Sequence, residues 1–335
     1  MKTSVLGLAL IFAWPLMEAR AQLEKPEIQP ATVREDVFRR GATPFPGRVL
    51  GYHGIEFSNL VGYRPLEMDL YLPAKTTTKY PLVIWIHGGG WSRGDARTSG
   101  AFKNWPAVLA SLAARGFVVA SVDYRMSSEA HFPAAIQDVK ASVRFLRANA
   151  AKYNIDPDQI FVWGGSAGGH LAALAATTCG VKAFEPQPST GRLTRAEMAS
   201  AAAADANTSD CVQGAIGWYG VFDLNMDGSA NSVQFLGCKK EDCVEQMKQA
   251  SPLTYVSPSA PPMFLLHGTA DKTVPPKQTE MFAAALKQAH VPVQTLYIPG
   301  ADHGWIGATP DSTRTASQLA IERTFVYLDS TTKHK

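Results

Sequence analysis

The sequence is governed by a rhythm. Short unbroken apolar runs alternate with longer stretches whose apolar residues recur at helical spacing. The runs are Leu82-Val83-Ile84-Trp85-Ile86, Phe117 to Val122, Ile160-Phe161-Val162-Trp163, Val212 to Tyr219, Met263 to Leu266 and Val293 to Ile298. Runs of this kind read as strands covered on both faces. Leu66 to Leu72 instead alternates apolar and polar residues, as a half-buried strand does. Between the runs, helices are predicted over Trp105 to Arg115, Pro133 to Tyr153, Gly168 to Thr178, Gln278 to Ala289 and Ser312 to Leu328. Pro133 sits near a first turn, where a missing N–H costs little. Strands alternating with helices predict an α/β chain with a mostly parallel central sheet flanked by helices. A length of 335 residues, 46% of them hydrophobic, suits one large unit of this kind. No internal repeat breaks it up.

Three regions fall outside the rhythm. Residues 1–21 have the order of an export signal: Lys2, an apolar core from Val5 to Met17 interrupted by Trp14-Pro15, then small residues in Ala19-Arg20-Ala21 with cleavage expected after Ala21. The core is too short to span a bilayer comfortably, so the chain is expected to be secreted or periplasmic after cleavage, with no stable membrane span. Residues 22–48, rich in Pro, Arg and Glu, read as an N-terminal arm, and residues 49–335 as the catalytic domain. Residues 182–210 are Pro/Ser/Thr-rich and then alanine-rich. They read as an insertion, either a cap-like segment beside the site or a plain surface excursion. Four cysteines allow three disulfide pairings; Cys179–Cys211 and Cys238–Cys243 are favoured because each closes a local loop, with free buried thiols as the alternative. The spacing does not suit zinc. The net charge of +3 is spread without a Lys/Arg block, which argues against a nucleic-acid partner. Oligomeric state is not legible.

The chemistry concentrates at strand ends. Gly164-Gly165-Ser166-Ala167-Gly168-Gly169 follows one buried run and opens a helix, the strand–turn–helix context of a nucleophile elbow. Neighbours bearing a Cβ would crowd so sharp a turn, and the free N–H groups at the helix start favour developing negative charge. The N–H of Ala167 is therefore an oxyanion donor candidate. His87-Gly88-Gly89-Gly90-Trp91 follows the run ending at Ile86; consecutive glycines let backbone N–H groups face a cavity unobstructed. A nucleophilic serine needs a base, and the base an orienting acid. His303, in a glycine-flanked loop after the last strand, is the expected base. His170 should pack beside the sheet, His267 faces the core or loop edge, His290 ends a helix and His334 lies in the tail. Asp271, just past a strand end, is the expected acid, ahead of Asp223 and of Asp302. Asp123-Tyr124-Arg125 reads as a structural network.

Taken together, His87-Gly88-Gly89-Gly90-Trp91 with Gly94-Asp95, Asp123-Tyr124-Arg125, Phe132-Pro133-Ala134, the Ser166 elbow, Ala250-Ser251-Pro252, His267-Gly268 with Asp271, Val274-Pro275 and His303-Gly304 resemble the α/β-hydrolase superfamily. More narrowly, the chain is similar to exported bacterial esterases of the hormone-sensitive-lipase-like and feruloyl/acetylxylan-esterase-like groups. The likeness covers residues 51–329. It implies an α/β-hydrolase fold, an oxyanion hole that includes the N–H groups of Gly89 and Gly90, no metal and no organic cofactor. It also implies a serine carboxylesterase acting on short-chain, aryl or carbohydrate-linked esters, whether small molecules or polysaccharide-linked. A serine peptidase of the same fold and a non-catalytic binding protein remain open alternatives. The 182–210 insertion and the cysteines flanking it depart from the family pattern and put any inherited substrate in doubt.

Overall fold

The computed structural model describes residues 41–74, 77–190, 208–227 and 229–332. The expected signal segment, most of the expected arm, the centre of the expected 182–210 insertion and His334 lie outside the described residues. The strands are β1 (Thr43–Phe45), β2 (Val49–Ser58), β3 (Leu66–Leu72), β4 (Tyr80–Ile86), β5 (Val118–Val122), β6 (Ile155–Gly165), β7 (Gly214–Trp218), β8 (Met263–Gly268) and β9 (Val293–Ile298). Among the described residues they form one nine-stranded sheet in the order β1-β2-β3-β5-β4-β6-β7-β8-β9. The pairs β1–β2, β2–β3 and β3–β5 are antiparallel, and every pair from β5 through β4 to β9 is parallel. The sheet begins inside the expected arm, since Thr43 and Phe45 pair with Gly51 and Val49.

The helices are α1 (Trp105–Ala113), α2 (Ala134–Ala148), α3 (Ala150–Tyr153), α4 (Ala167–Thr177), α5 (Ala230–Leu236), α6 (Val244–Ala250), α7 (Lys277–Gln288) and α8 (Pro310–Thr331). The alternation of side chains along each strand feeds two cores, one per sheet face. On β4, Leu82, Ile84 and Ile86 join one core, while Val83 and Trp85 join the other. The second core carries an indole cluster beneath the strand ends. Ring centroids are 4.5 Å apart for Trp85–Trp105, 4.7 Å for Trp85–Trp163, 4.8 Å for Trp163–Trp218 and 5.3 Å for Trp218–Trp305. Tilted and edge-on aromatic pairs at such distances add roughly 0.5–1.5 kcal/mol each beyond area burial. The cluster is therefore a stiff floor under the loops that leave the carboxyl ends of β4, β6 and β7.

Both expected disulfides, Cys179–Cys211 and Cys238–Cys243, are formed, which suits an oxidising compartment. Asp123-Tyr124-Arg125 is the expected network. Asp123 accepts from the Ala96 N–H at 2.9 Å, and the Tyr124 hydroxyl donates to the His87 carbonyl at 3.1 Å. Arg125 pairs with Asp138 at 2.7 Å, both fully buried. Among the described residues no helix is long and apolar enough to cross a membrane.

Candidate active site

Strand β6 delivers Ser166 into a backbone conformation few side chains adopt, with φ 57° and ψ −121°. Strain of this kind costs on the order of 1–3 kcal/mol and persists only where the surroundings enforce it. Here the Ser166 N–H donates to the Trp218 carbonyl at 2.9 Å, and the His170 N–H donates to the Ser166 carbonyl at 3.0 Å as α4 begins. The glycines answer close approach: a Cβ on Gly164 would sit 2.2 Å from the Gly168 carbonyl oxygen, and one on Gly168 would sit 2.0 Å from that of Ile86.

His303 opens a short turn after β9 and lies between two oxygens. Its Nε2 is 2.9 Å from Ser166 Oγ, and its Nδ1 is 2.8 Å from Asp271 Oδ2. With Nδ1 donating to the carboxylate, Nε2 presents a lone pair to the serine hydroxyl. Asp271 follows β8 and is itself held: Oδ1 accepts from the N–H groups of Thr273 at 2.9 Å and Val274 at 2.8 Å, and His267 Nε2 is 3.4 Å from Oδ2. Burial pushes this carboxyl up. The hydrogen bonds from His267, His303 and the Val274 amide outweigh burial and hold it well below the usual carboxylate range.

The rival residues are engaged elsewhere. Asp223 accepts from the backbone and side chain of Asn225 at 2.9 and 2.8 Å. Asp302 accepts from the His303 N–H at 2.7 Å rather than from its ring. His267 is buried against Thr279 Oγ1 at 2.7 Å and the Val274 carbonyl at 2.8 Å. His170 is buried too, accepting from Trp91 Nε1 at 3.1 Å and donating to the Ala250 carbonyl at 2.7 Å. Burial lowers its pKa to about 4, so it stays a neutral link. His87, equally buried and lowered to about 4, stacks on Tyr124 with ring centroids 4.3 Å apart. His290 ends α7 in a left-handed conformation, φ 58°.

The glycine loop after β4 packs on the elbow: a Cβ on Gly88 would fall 2.8 Å from the Gly165 carbonyl oxygen. Gly89 has φ 110° and Gly90 φ 61°. These two residues, Ser166 and His303 share a cavity of about 640 Å³ with Tyr219 and Asn231. Ala167, one residue past the serine, is buried at the start of α4. Sequence reasoning missed Tyr219 and Asn231 as site residues. The Tyr219 ring lies 4.7 Å from that of His303. Its position directly after the buried strand end Gly217-Trp218 is the signal that could have found it. Asn231 lies on the short helix α5, which has no legible period. Among the described residues no group of three His, Cys, Asp or Glu is placed to hold a metal. The arrangement can transfer a proton from a serine hydroxyl to an imidazole whose charge a buried carboxylate offsets.

Comparison with known proteins places the chain among esterases. The BD-FAE family model matches residues 68–286. The chain is 33% identical over 257 residues to Esterase LipC of Mycobacterium tuberculosis, covering 73% of this chain and 59% of that one. The chain spans little more than half the length of curated relatives it matches. Among solved structures it is similar to a truncated carbohydrate esterase from gut microbiota, with 27% identity and TM-score 0.66, covering 84% of this chain and 95% of that chain. It is also similar to butyrate-bound esterase 2 of Thermogutta terrifontis, with 26% identity and TM-score 0.64, covering 85% and 94%. The expected fold and family are both found: the chain belongs to the BD-FAE family and has the α/β-hydrolase fold of the esterases.

Proposed function

We propose that the protein is a serine carboxylesterase, exported after removal of residues 1–21, that hydrolyses short-chain, aryl or carbohydrate-linked esters through an acyl-enzyme. The observation that carries this reading is the unbroken chain from Ser166 Oγ through both ring nitrogens of His303 to Asp271, with contacts of 2.9 and 2.8 Å. The esterase names of its relatives support the reaction class, and the carbohydrate esterase and butyrate-bound esterase among its structural neighbours support the substrate range. A cavity of about 640 Å³ is of the size that takes a small ligand.

In this mechanism Ser166 Oγ attacks the ester carbonyl carbon while its proton passes to His303 Nε2. The oxyanion that forms is held by the N–H groups of Gly89, Gly90 and Ala167. Asp271, kept ionised by its own hydrogen bonds, orients the ring and offsets its positive charge. Collapse of the tetrahedral intermediate breaks the bond to the alcohol oxygen, which leaves with the proton from Nε2. Water then attacks the acyl-serine, giving a proton to Nε2. The second collapse breaks the bond to Oγ, returns that proton to Ser166 and releases the acid.

A fluorophosphonate probe followed by peptide mass spectrometry tests the nucleophile. One label on the peptide containing Ser166 is expected; a folded protein that takes no label, or takes it elsewhere, contradicts the assignment.

A further inference from the structure

The charge lining the cavity is unbalanced. Arg93 lines it, and none of the residues lining it is a carboxylate. Among the described residues Arg64, Arg97, Arg115, Arg125 and Arg314 each meet a carboxylate partner. Arg93 is exposed and makes no such pair. Its place is fixed by the glycine loop: the Arg93 N–H donates to the Gly89 carbonyl at 3.2 Å, and a Cβ on Gly89 would lie 3.2 Å from Arg93 Cγ. The side chain therefore starts beside one of the glycines assigned to the oxyanion and extends no more than a few ångströms further.

Two neutral polar groups, Ser99 and Asn231, line the same cavity. Ser99 is 8% exposed, and its Oγ is buried with no hydrogen-bond partner among the described residues. A buried hydroxyl without a partner is unfavourable unless a bound group completes it. The Asn231 amide faces Gly90, its Nδ2 lying 2.6 Å from where a Cβ on that glycine would be. An unpaired guanidinium, an unpaired hydroxyl and a carboxamide around one cavity match a ligand with several oxygens, at least one of them negatively charged.

We infer that the site prefers esters carrying a carboxylate within reach of Arg93, with Ser99 and Asn231 meeting the neighbouring oxygens. The inference rests on the serine-esterase reading of the same site. It names a carboxylate on the substrate, which can belong to the acid or to the alcohol half of the ester.

The test compares matched pairs of esters. The 4-nitrophenyl monoester of adipate against that of its neutral amide places the charge on the acyl side. 3-Acetoxybenzoate against 3-acetoxybenzamide places it on the alcohol side. For the mature protein at low ionic strength, kcat/KM for the anionic member of at least one pair should exceed that of the neutral member by about fivefold. The pair that shows the preference identifies the half that carries the carboxylate. The ratio should shrink as salt is added, because an exposed guanidinium is screened. It should fall to about one in Arg93→Gln, with Arg93→Lys retaining part of it. A wild-type ratio at or below one for both pairs overturns the inference without any variant. So does an Arg93→Gln protein with unchanged melting temperature that keeps the wild-type ratio. Failure to hydrolyse any member of either pair overturns the esterase reading itself, and is thereby told apart from a mere lack of anionic preference.

Discussion

Asp302 ties the loop carrying His303 to the loop carrying Asp271: one of its oxygens, Oδ1, accepts the backbone N–H of Lys272 at 2.9 Å and that of His303 at 2.7 Å. The same two amides hold the Asp302 carboxyl below the usual carboxylate range, so the link persists into mild acid. Asp302 thus helps, with the Ala270 N–H to Ala301 carbonyl bond at 3.0 Å, to hold the loop of His303 against that of Asp271. Asp302→Ala is expected to lower kcat by about tenfold, since small misplacements of a reacting group are costly, with KM moving much less. Steady-state kinetics on a neutral nitrophenyl ester would check this, and an unchanged kcat would remove Asp302 from the positioning of the base.

Asp271→Asn preserves the shape of the site and removes the charge. Loss of the acid in such a chain costs about 10⁴-fold in kcat where it has been removed from a related constellation, and a loss of that order is expected here. The wild-type carboxyl is held down by His267, His303 and the Val274 amide against the opposing effect of burial. A carboxylate with a depressed folded pKa contributes stability above its unfolded value and loses it only as pH falls through the folded value. Acidification to pH 5 should therefore leave Asp271 ionised. A carboxyl-region infrared difference spectrum against Asp271→Asn, showing no protonation of this residue at pH 5, would check the assignment.

Acid should destabilise the fold through two other residues. His87 and His170 are buried and lowered by that burial from 6.5 to about 4. For His170 both nitrogens are committed, one accepting from Trp91 and the other donating to Ala250, so a second proton has no place. Between pH 6.5 and about 4 the unfolded chain binds protons that the folded chain refuses. Stability therefore rises with pH across this window and falls on acidification, by on the order of 3 kcal/mol per histidine at the acid end. Melting temperatures of the Ser166→Ala protein at pH 7.5, 6, 5 and 4.5 should decline steadily. A flat profile across that range would contradict the buried neutral state of both rings.

The two disulfides should contribute unequally. Cys179–Cys211 joins residues 32 apart in sequence, and Cys238–Cys243 residues 5 apart. On the chain-entropy argument the longer loop is worth about 3.5 kcal/mol and the shorter about 2 kcal/mol. Replacing Cys179 and Cys211 together by Ser should lower the denaturant midpoint more than replacing Cys238 and Cys243. The reverse order would mean that the short bridge stiffens the native loop before α6 more than it restricts the unfolded chain.

Most of the scaffold was legible because the inner strands β4, β5, β7 and β8 are buried on both faces and read as unbroken apolar runs, whereas β9, expected to be covered in the same way, is an edge strand with only Ile298 buried. β3 and β9 are found at the expected bounds, Leu66–Leu72 and Val293–Ile298. β2 was not expected: Gly51, His53 and Gly54 interrupt it, and its register shifts twice against β3, so no period of two survives. Helices α5 and α6, seven residues each, are too short to show a helical period. Ser166, Asp271 and His303 were legible because each is a chemically distinct residue just after a strand, where the fold presents side chains. Arg93, Ser99, Tyr219 and Asn231 were not, because what brings them into one cavity is the path of the backbone through two separate loops and a helix. The cap expected within residues 182–210 depends on positions outside the described residues.

The most direct test of the account is the kcat/KM of Ser166→Ala relative to the wild type, both as residues Gln22 to Lys335, on nitrophenyl esters from acetate to palmitate with feruloyl and acetyl-xylan esters alongside. Hydrolysis by the wild type and a loss of several orders of magnitude in a Ser166→Ala protein of unchanged melting temperature are expected. Turnover by that variant near the wild-type rate would contradict a serine nucleophile and the mechanism built on it.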